Sequence, residues 1–138
     1  MSLELPRALA EAMVEHAREE FPNECCGLLA GRGRRVERLF RGHNVDRSPY
    51  TYRLDPQEQL AFFKAMDAEG LDLLGIYHSH TQSPAFPSRT DVARALYPDA
   101  AYVIVSLRDA QAPAQDAQIR AFRIRDGQIT EEELVVEG

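Results

Sequence analysis

The stretch from Leu71 to Asp91 reads LDLLGIYHSHTQSPAFPSRTD, and it carries both the fold signal and the chemical signal of this chain. Its first half is apolar enough to be a central strand of a sheet. His78 and His80 stand two residues apart at the end of that strand, so their side chains point to the same face. After a loop with two prolines, Ser88 and Asp91 have the spacing of a helix N-cap and the third residue of the first turn.

Helix signals lie on both sides of this strand. Apolar residues at three- and four-residue spacing after Pro6 predict that a helix opens the chain. Asp55 followed by Pro56 predicts the start of a second helix, which Gly70 ends. The helix that begins at Ser88 is expected to run on to Pro98, because proline cannot continue it.

The other apolar segments predict further strands, and a pair of turn residues joins the last two. The Asp126-Gly127 dipeptide between residues 118–124 and 128–136 is a strong hairpin signal. The remaining predicted strands cover residues 25–31, 34–42, 50–54 and 101–107. We therefore expect residues 1–138 to form a single α/β domain, with a mixed, largely antiparallel sheet flanked by helices.

Charge and cysteine content narrow the class of protein. The 138 residues carry a net charge of −6 with acids and bases mixed along the chain, which argues against nucleic acid or a membrane surface as the main partner. A basic cluster at residues 32–41 is better explained as a solvated hairpin than as a site for an acidic partner.

The first residues lack the pattern of a signal peptide, and the adjacent Cys25 and Cys26 cannot easily bridge each other, so we expect a cytoplasmic protein. The oligomeric state stays open, with a homodimer as one option.

The two histidines at the strand end can bind one cation together. Zinc favours nitrogen ligands in a tetrahedral shell, and Asp91 at the start of the next helix is the candidate third ligand. Three protein ligands leave the fourth position to water, as in catalytic zinc sites. Glu24, directly before an apolar strand, is the candidate general base, and Ser88 is placed to donate a hydrogen bond to a developing oxyanion.

These residues resemble the signature of the JAMM, or MPN-plus, metalloprotease family. That signature is an upstream Glu, then His-x-His, seven residues, Ser, two residues and Asp. His78, His80, Ser88 and Asp91 match this spacing without departure, and Glu24 stands where the family has its catalytic glutamate. The resemblance extends to NECCGLLAG (residues 23–31), HNV (43–45) and YRLDP (52–56), as in the compact prokaryotic branch.

The resemblance implies an MPN fold, similar in architecture to cytidine deaminases, and a zinc hydrolase. The implied substrate is the peptide or isopeptide bond after the C-terminal Gly-Gly tail of a ubiquitin-like or sulfur-carrier protein, with sulfur carriers the leading class. The implied roles are zinc binding by His78, His80 and Asp91, proton transfer by Glu24 and support of the tetrahedral intermediate by Ser88, with a zinc-held water as attacking group. The flexible tail is expected to bind extended, adding a strand along residues 50–54.

Three other interpretations compete with this one. A non-catalytic scaffold of the same fold that grips a ubiquitin-like partner would not need a complete set of ligands, base and oxyanion donor. A cysteine nucleophile would require Cys25 or Cys26, whose apolar surroundings are typical of buried structural cysteines. Which of the two cysteines faces the site is left open. A zinc deaminase would need a Pro-Cys-x-x-Cys motif, which the sequence lacks.

Overall fold

The structure, a computed structural model, describes residues 2–108 and 118–138, which form seven strands and three helices. The strands are β1 (Ser2–Pro6), β2 (Cys26–Arg32), β3 (Arg35–Gly42), β4 (Asp72–His80), β5 (Ala101–Ser106), β6 (Gln118–Arg125) and β7 (Gln128–Glu137). The helices are α1 (Arg7–Glu20), α2 (Pro56–Glu69) and α3 (Arg89–Ala93).

The strands form one sheet that closes on itself in the order β1-β3-β2-β4-β5-β6-β7. Strand β4 lies inside the sheet, antiparallel to β2 and parallel to β5. Four of the seven pairings between described strands are antiparallel and three are parallel, which confirms the expectation of a mixed sheet with helices on it. Closure into a barrel was not predicted from the sequence.

Closure depends on β1, a strand before the first helix that was not predicted from the sequence. Five residues from Ser2 to Pro6 pair in parallel with the end of β7, and the same strand meets β3 at a single pair, Glu4 with Arg35. Leu3 and Leu5 point into the core, while Ser2, Glu4 and Pro6 are only partly buried. An alternation of apolar and polar residues over only five positions is too short to predict a strand, so β1 becomes evident only from its pairing with β7 and β3.

Helix α1 covers the inner side of this sheet. It begins after Pro6 as predicted, and its buried side chains recur at three- and four-residue spacing as Ala10, Met13, Val14 and Ala17. These residues pack in one apolar cluster with β1 and with Tyr77 of β4. The face of β4 that carries Tyr77 is therefore buried in the core, and a functional site on this strand has to lie on the opposite face.

Helices α2 and α3 lie on that opposite face. The Asp55 carboxylate accepts hydrogen bonds from two backbone N–H groups of the first turn of α2, and Gly70 ends this helix in the left-handed conformation, as predicted. Helix α3 ends at Ala93 rather than at Pro98, because the backbone N–H groups of residues 96 and 97 donate to the hydroxyl of Tyr102. None of the helices formed by residues 2–108 and 118–138 is long and apolar enough to cross a membrane.

The predicted strand at residues 50–54 is wrong. Only Leu54 makes a ladder contact, an isolated bridge with Asn44. The side chains of Ser48 and Asn44 instead accept the backbone N–H groups of residues 50, 51 and 53. Serine and asparagine side chains commonly compete in this way with regular structure.

The basic cluster belongs to the β2–β3 hairpin and is largely paired with acids from elsewhere in the fold. Arginines on this hairpin form ion pairs on the protein surface: Arg32 with Glu37, Arg35 with Glu137, Arg38 with Glu69, and Arg41 with Glu19. Because four of the five guanidinium groups in the cluster already face a carboxylate, the cluster fits a solvated hairpin better than a site for an acidic partner.

Candidate metal centre

The end of β4 presents His78 and His80 on the face away from α1. Tyr77 and Ser79 alternate to the inner face, where the Tyr77 hydroxyl lies 2.7 Å from Nδ1 of His16. In the ladder with β2, His78 pairs with Cys26. Both histidines are buried, so their rings are held by packing before any ligand arrives.

Helix α3 brings Asp91 to the two histidines. The Ser88 hydroxyl accepts from the Asp91 N–H at 3.0 Å, and Asp91 Oδ2 accepts from the Ser88 N–H at 2.9 Å, so the predicted capping box is formed. The same Oδ2 lies 3.1 Å from Nε2 of His78 and 3.0 Å from Nε2 of His80. Local capping geometry thus delivers the carboxylate to the strand end.

The three side-chain atoms form a nearly equilateral triangle that fits a zinc ion. The two Nε2 atoms of His78 and His80 are 3.2 Å apart, which closes the triangle that Asp91 begins. Zinc–ligand bonds of about 2.0–2.1 Å in a tetrahedral shell place ligand atoms roughly 3.3 Å from one another. The donor set of two imidazoles and one carboxylate is also one that zinc prefers, with a fourth position left open.

The outer contacts of the histidines differ. Nδ1 of His80 lies 2.8 Å from the carbonyl oxygen of Pro84 and donates to it, so that Nε2, once it has lost its proton, presents the lone pair that a metal needs. Nδ1 of His78 is buried without a hydrogen-bond partner among the described residues, and its ring instead stacks on Tyr52 with centroids 4.3 Å apart. His80 is therefore oriented by a hydrogen bond, and His78 by an aromatic contact.

The electrostatics of the centre favour an anionic Asp91. Burial alone would raise the pKa of Asp91, but the hydrogen bonds from His78 and His80 outweigh it and hold the pKa well below its usual range. For His78, burial lowers the pKa despite the Asp91 carboxylate beside it. For His80, burial also acts to lower the pKa, but the bonds to Asp91 and Pro84 together raise it.

Glu24 lies one residue before the last β2–β4 backbone contact, in which the Ser79 N–H donates to the Cys25 carbonyl at 3.2 Å. Its side chain is only 3% exposed, and its Oε1 has no hydrogen-bond partner among the described residues. Burial raises the pKa of Glu24 to about 8, with His80 opposing the rise and Asp91 adding to it. A buried carboxyl group that is electrostatically coupled to both residues is a candidate acid–base group for this centre.

The two cysteines lie on opposite faces of β2. Cys26 is paired with His78 and shares its face, whereas Cys25 packs in the inner cluster with α1. Burial raises the pKa of the Cys25 thiol to about 12 and raises that of Cys26 as well. A nucleophilic cysteine needs a lowered thiol pKa, so the cysteine-nucleophile interpretation has no support at either position.

Residues that the sequence analysis did not single out complete the surroundings of the centre. Tyr52 stacks on His78, Ser79 accepts the Cys25 N–H through its hydroxyl at 2.8 Å, and Asn44 bonds to the Glu24 carbonyl. The only sequence signal for Asn44 and Tyr52 was their place in the HNV and YRLDP segments. Ser79 had no signal beyond its position between the two histidines.

A groove of about 340 Å³ opens beside the centre on the same face of the sheet. Its floor is formed by Leu28 and Ile76 of the sheet, and Tyr52 forms the wall next to His78. Leu96 at the rim is among the most exposed large apolar residues of the described chain. The groove is therefore mainly apolar, and it reaches the residue that covers the metal centre.

Comparisons with known proteins identify relatives along nearly the whole chain. Residues 6–125 match the family model described as prokaryotic homologs of the JAB domain. The chain is 49% identical over 131 residues to the CysO-cysteine peptidase of Mycobacterium tuberculosis, covering 93% of this chain and 86% of that protein. It is 42% identical over 127 residues to a probable TtuB-protein conjugate cleaving protease of Thermus thermophilus, covering 91% and 78% of the two chains.

Solved structures share the fold. The solution structure of protein DSY2949 from Desulfitobacterium hafniense aligns with a TM-score of 0.87 at 39% identity, over 99% of this chain and 93% of that one. The crystal structure of AF2198, a JAB1/MPN domain protein from Archaeoglobus fulgidus, aligns with a TM-score of 0.61 at 20% identity, over 96% and 99%. The second alignment confirms the MPN fold expected from the sequence.

Proposed function

The chain belongs to the family of prokaryotic homologs of the JAB domain and is an enzyme of the peptidase class, and from this we propose a zinc-dependent hydrolase of protein conjugates. The bond cleaved is the peptide or isopeptide bond after the C-terminal Gly-Gly tail of a sulfur-carrier or ubiquitin-like protein. The observation that carries the proposal is the buried triangle of His78, His80 and Asp91 together with the buried carboxyl group of Glu24, whose Oε1 has no hydrogen-bond partner among the described residues. We further propose that residues 1–138 act as one catalytic domain.

His78, His80 and Asp91 are the residues that would hold the metal. A zinc ion bound there supplies a Lewis acid that lowers the pKa of water and polarises a carbonyl oxygen. The chain contributes the orientation of the ligands, through Pro84 on His80 and Tyr52 on His78, and it keeps Asp91 anionic. The site is closed to bulk water on the side of α1, where Tyr77 and its neighbours fill the core.

Glu24 moves the proton. Burial disfavours the charged carboxylate of Glu24 and raises its pKa to about 8. With a cation held by the neighbouring ligands, Glu24 would favour its carboxylate form, which is the form that accepts a proton from the attacking water. The same carboxyl group then donates that proton to the leaving amine, so that the group returns to its starting state without a covalent acyl-enzyme.

Ser88 stabilises the oxyanion of the tetrahedral intermediate. Its hydroxyl oxygen accepts from the N–H of Asp91, and this leaves its own O–H free to donate. The residue is half-buried, so its hydroxyl can face a substrate without leaving its capping position. Capping and catalysis are therefore compatible at this residue.

The substrate tail binds in the apolar groove next to Tyr52, but not by adding a strand along residues 50–54. The carbonyl oxygens of residues 51, 52 and 53 already accept from Asn44, Arg94 and Val45, and the N–H groups of residues 50, 51 and 53 are also bonded. Strand addition requires free backbone groups, so the expected addition along residues 50–54 does not fit the structure. Apolar side chains that precede the Gly-Gly end fill the groove instead.

The competing scaffold function would need a partner-binding surface and no chemistry. A buried carboxyl oxygen such as Glu24 Oε1, which has no hydrogen-bond partner in the described part of the chain, costs stability, and a scaffold gains nothing from it. In an enzyme the same group serves proton transfer, which favours catalysis over the scaffold.

The deciding experiment uses a sulfur-carrier protein with one amino acid joined to its C-terminal Gly-Gly tail, and a ubiquitin-like protein joined to a lysine side chain. Each is incubated with the zinc-loaded protein, and the products are identified by intact mass spectrometry. We expect release of the unmodified carrier ending in Gly-Gly, and no release after chelation of zinc or in Glu24→Gln. Tight binding of both conjugates without any cleavage would instead establish the scaffold.

A further inference from the structure

Asn44, just beyond the end of β3, makes every hydrogen bond that an amide side chain can make. Its Nδ2 donates to the carbonyl oxygens of Glu24 at 3.1 Å and of Thr51 at 3.0 Å. Its Oδ1 accepts from the backbone N–H groups of Asp46 and Arg53, both at 3.0 Å. The side chain is 8% exposed, and its two donors and two lone pairs are all used.

These bonds fasten residues 44–54, which we call the strap, to the residue that moves the proton. The Glu24 N–H donates to the Ser48 carbonyl of the strap at 2.9 Å, and the Glu24 carbonyl accepts from Asn44. Both backbone polar groups of Glu24 are therefore held by the strap. Its carboxylate Oε1 has no partner among the described residues, so the backbone is what places it.

The strap also carries the ring that lies against a metal ligand. Tyr52 stacks on His78 with an interplanar angle of 21°, and the residues on either side of it, Thr51 and Arg53, are both bonded to the Asn44 amide. The carbonyl of Tyr52 accepts from Arg94, which fixes the strap to the end of α3. A single side chain thus connects the acid–base residue with the aromatic cover of the centre.

We propose that Asn44 is a positioning residue, which sets the place of the Glu24 carboxylate relative to His78 and His80 through the strap. The inference rests on the proposed function, in which Glu24 transfers the proton. Catalytic rates depend steeply on such placement, and a displacement of about 1 Å can cost on the order of 100-fold. A purely structural turn residue would affect stability but not the rate of the chemical step.

The decisive variant is Asn44→Asp, which has the same shape and keeps the acceptor for Asp46 and Arg53. It replaces the donor nitrogen with an oxygen that faces the carbonyls of Glu24 and Thr51, so both of those bonds are lost. We expect kcat on the carrier conjugate to fall about 10- to 100-fold. KM should change much less than kcat, since Asn44→Asp keeps the bond to Arg53 beside Tyr52 and leaves Leu28 and Ile76 of the groove in place, and zinc content should stay at one ion per chain.

A second readout does not depend on activity. In the metal-free protein, hydrogen exchange at the Glu24 amide should be at least about 10-fold faster in Asn44→Asp, because its bond to Ser48 is no longer held by the strap. Exchange at the Val103 amide in β5 should not change. The control is His16→Phe, which removes a buried hydrogen bond on the other face of β4 and should leave kcat unchanged.

The outcomes separate this inference from the proposed function. An unchanged kcat in folded Asn44→Asp, an equal loss of kcat in His16→Phe, a loss of zinc, or unchanged exchange at Glu24 would each overturn the role of Asn44. Wild-type protein that cleaves no conjugate counts against the proposed function instead. In that case the exchange rate at Glu24 decides alone whether Asn44 positions this residue.

Discussion

The backbone N–H of Cys25 donates a 2.8 Å hydrogen bond to the side-chain oxygen of Ser79, the residue between the two histidines of the metal centre. The regular ladder between β2 and β4 ends at the pair of Cys26 and His78, one position short of Cys25 and Ser79. Beyond that pair the Ser79 N–H donates to the Cys25 carbonyl and the Ser79 hydroxyl accepts the Cys25 N–H, so the contact extends by one residue, up to Glu24. The spacing between the acid–base residue and the ligands is set at this point.

Ser79→Ala should destabilise the protein and slow the reaction. The variant leaves the buried Cys25 N–H without an acceptor, which costs about 1–3 kcal/mol of the free energy of unfolding. Urea denaturation measures this loss, and kcat should fall while KM is kept. Ser79→Thr retains the hydroxyl and should recover both quantities; a threonine variant as impaired as the alanine variant would count against the role of this bond.

His78→Ala should abolish stable metal binding. It removes one of three ligands, and we expect zinc affinity to drop by more than the roughly 10- to 100-fold typical of outer contacts. Zinc per chain after dialysis, measured by atomic emission, tests this. The matched control is His43→Ala, which removes an exposed histidine that pairs with Glu58 and should leave the zinc content at one per chain. Equal zinc content in His78→Ala and the wild type would remove His78 from the ligand set.

Glu24→Gln should separate metal binding from turnover. Glutamine has nearly the same shape but cannot take up a proton, so kcat should decrease about 10²- to 10⁴-fold with one zinc retained. The measurement is steady-state cleavage of the carrier conjugate together with metal analysis. Glu11→Gln, which changes an exposed acid on α1, serves as the control and should have wild-type activity. Activity of Glu24→Gln within a few fold of wild type would require another acid–base group.

His16 makes stability depend on pH below neutrality. Burial lowers the pKa of His16 below 6.5, and Nδ1 accepts from the Tyr77 hydroxyl only when the ring is neutral. The unfolded chain then binds more protons than the folded one, so the free energy of unfolding falls as pH decreases below about 6.5. His16→Phe should be less stable at pH 8 by about 1–3 kcal/mol, because Tyr77 loses its partner.

The same variant should show a weaker pH dependence than the wild type between pH 7 and pH 5. Urea denaturation at several pH values in metal-free protein measures both slopes. Parallel curves for the two proteins would mean that another group carries the pH dependence.

Local sequence rules predicted most of the centre. The period of two along β4 placed His78 and His80 on one face, and the capping spacing of Ser88 and Asp91 predicted the helix start that carries the third ligand. Both are short-range effects, in which each residue's place follows from its neighbours in the chain. The family resemblance is confirmed by the family match, while the catalytic roles of these residues and the cytoplasmic location stay predictions.

Contacts between distant residues were the part that the sequence could not provide. The approach of Glu24 to His80 depends on the register between β2 and β4, and these strands are not joined by a hairpin turn that would fix their register locally. Asn44 joins residues that lie 20 positions before it and up to nine after it. The strand prediction at residues 50–54 was wrong for a related reason. The residues there have a high strand propensity, but the side chains of Asn44 and Ser48 bond to the backbone groups that a strand would use.

The loop between His80 and Ser88 divides into positions that tolerate redesign and positions that do not. The carbonyls of Ser83 and Pro84 accept from Ser106 and His80, so the backbone at this point transmits any change to a ligand. Phe86 is half-exposed and its ring packs on Phe122, with ring centroids 5.3 Å apart. Phe86 can therefore be varied while the backbone at Ser83 and Pro84 is kept, so that this loop combines a replaceable exposed side chain with a fixed support for His80.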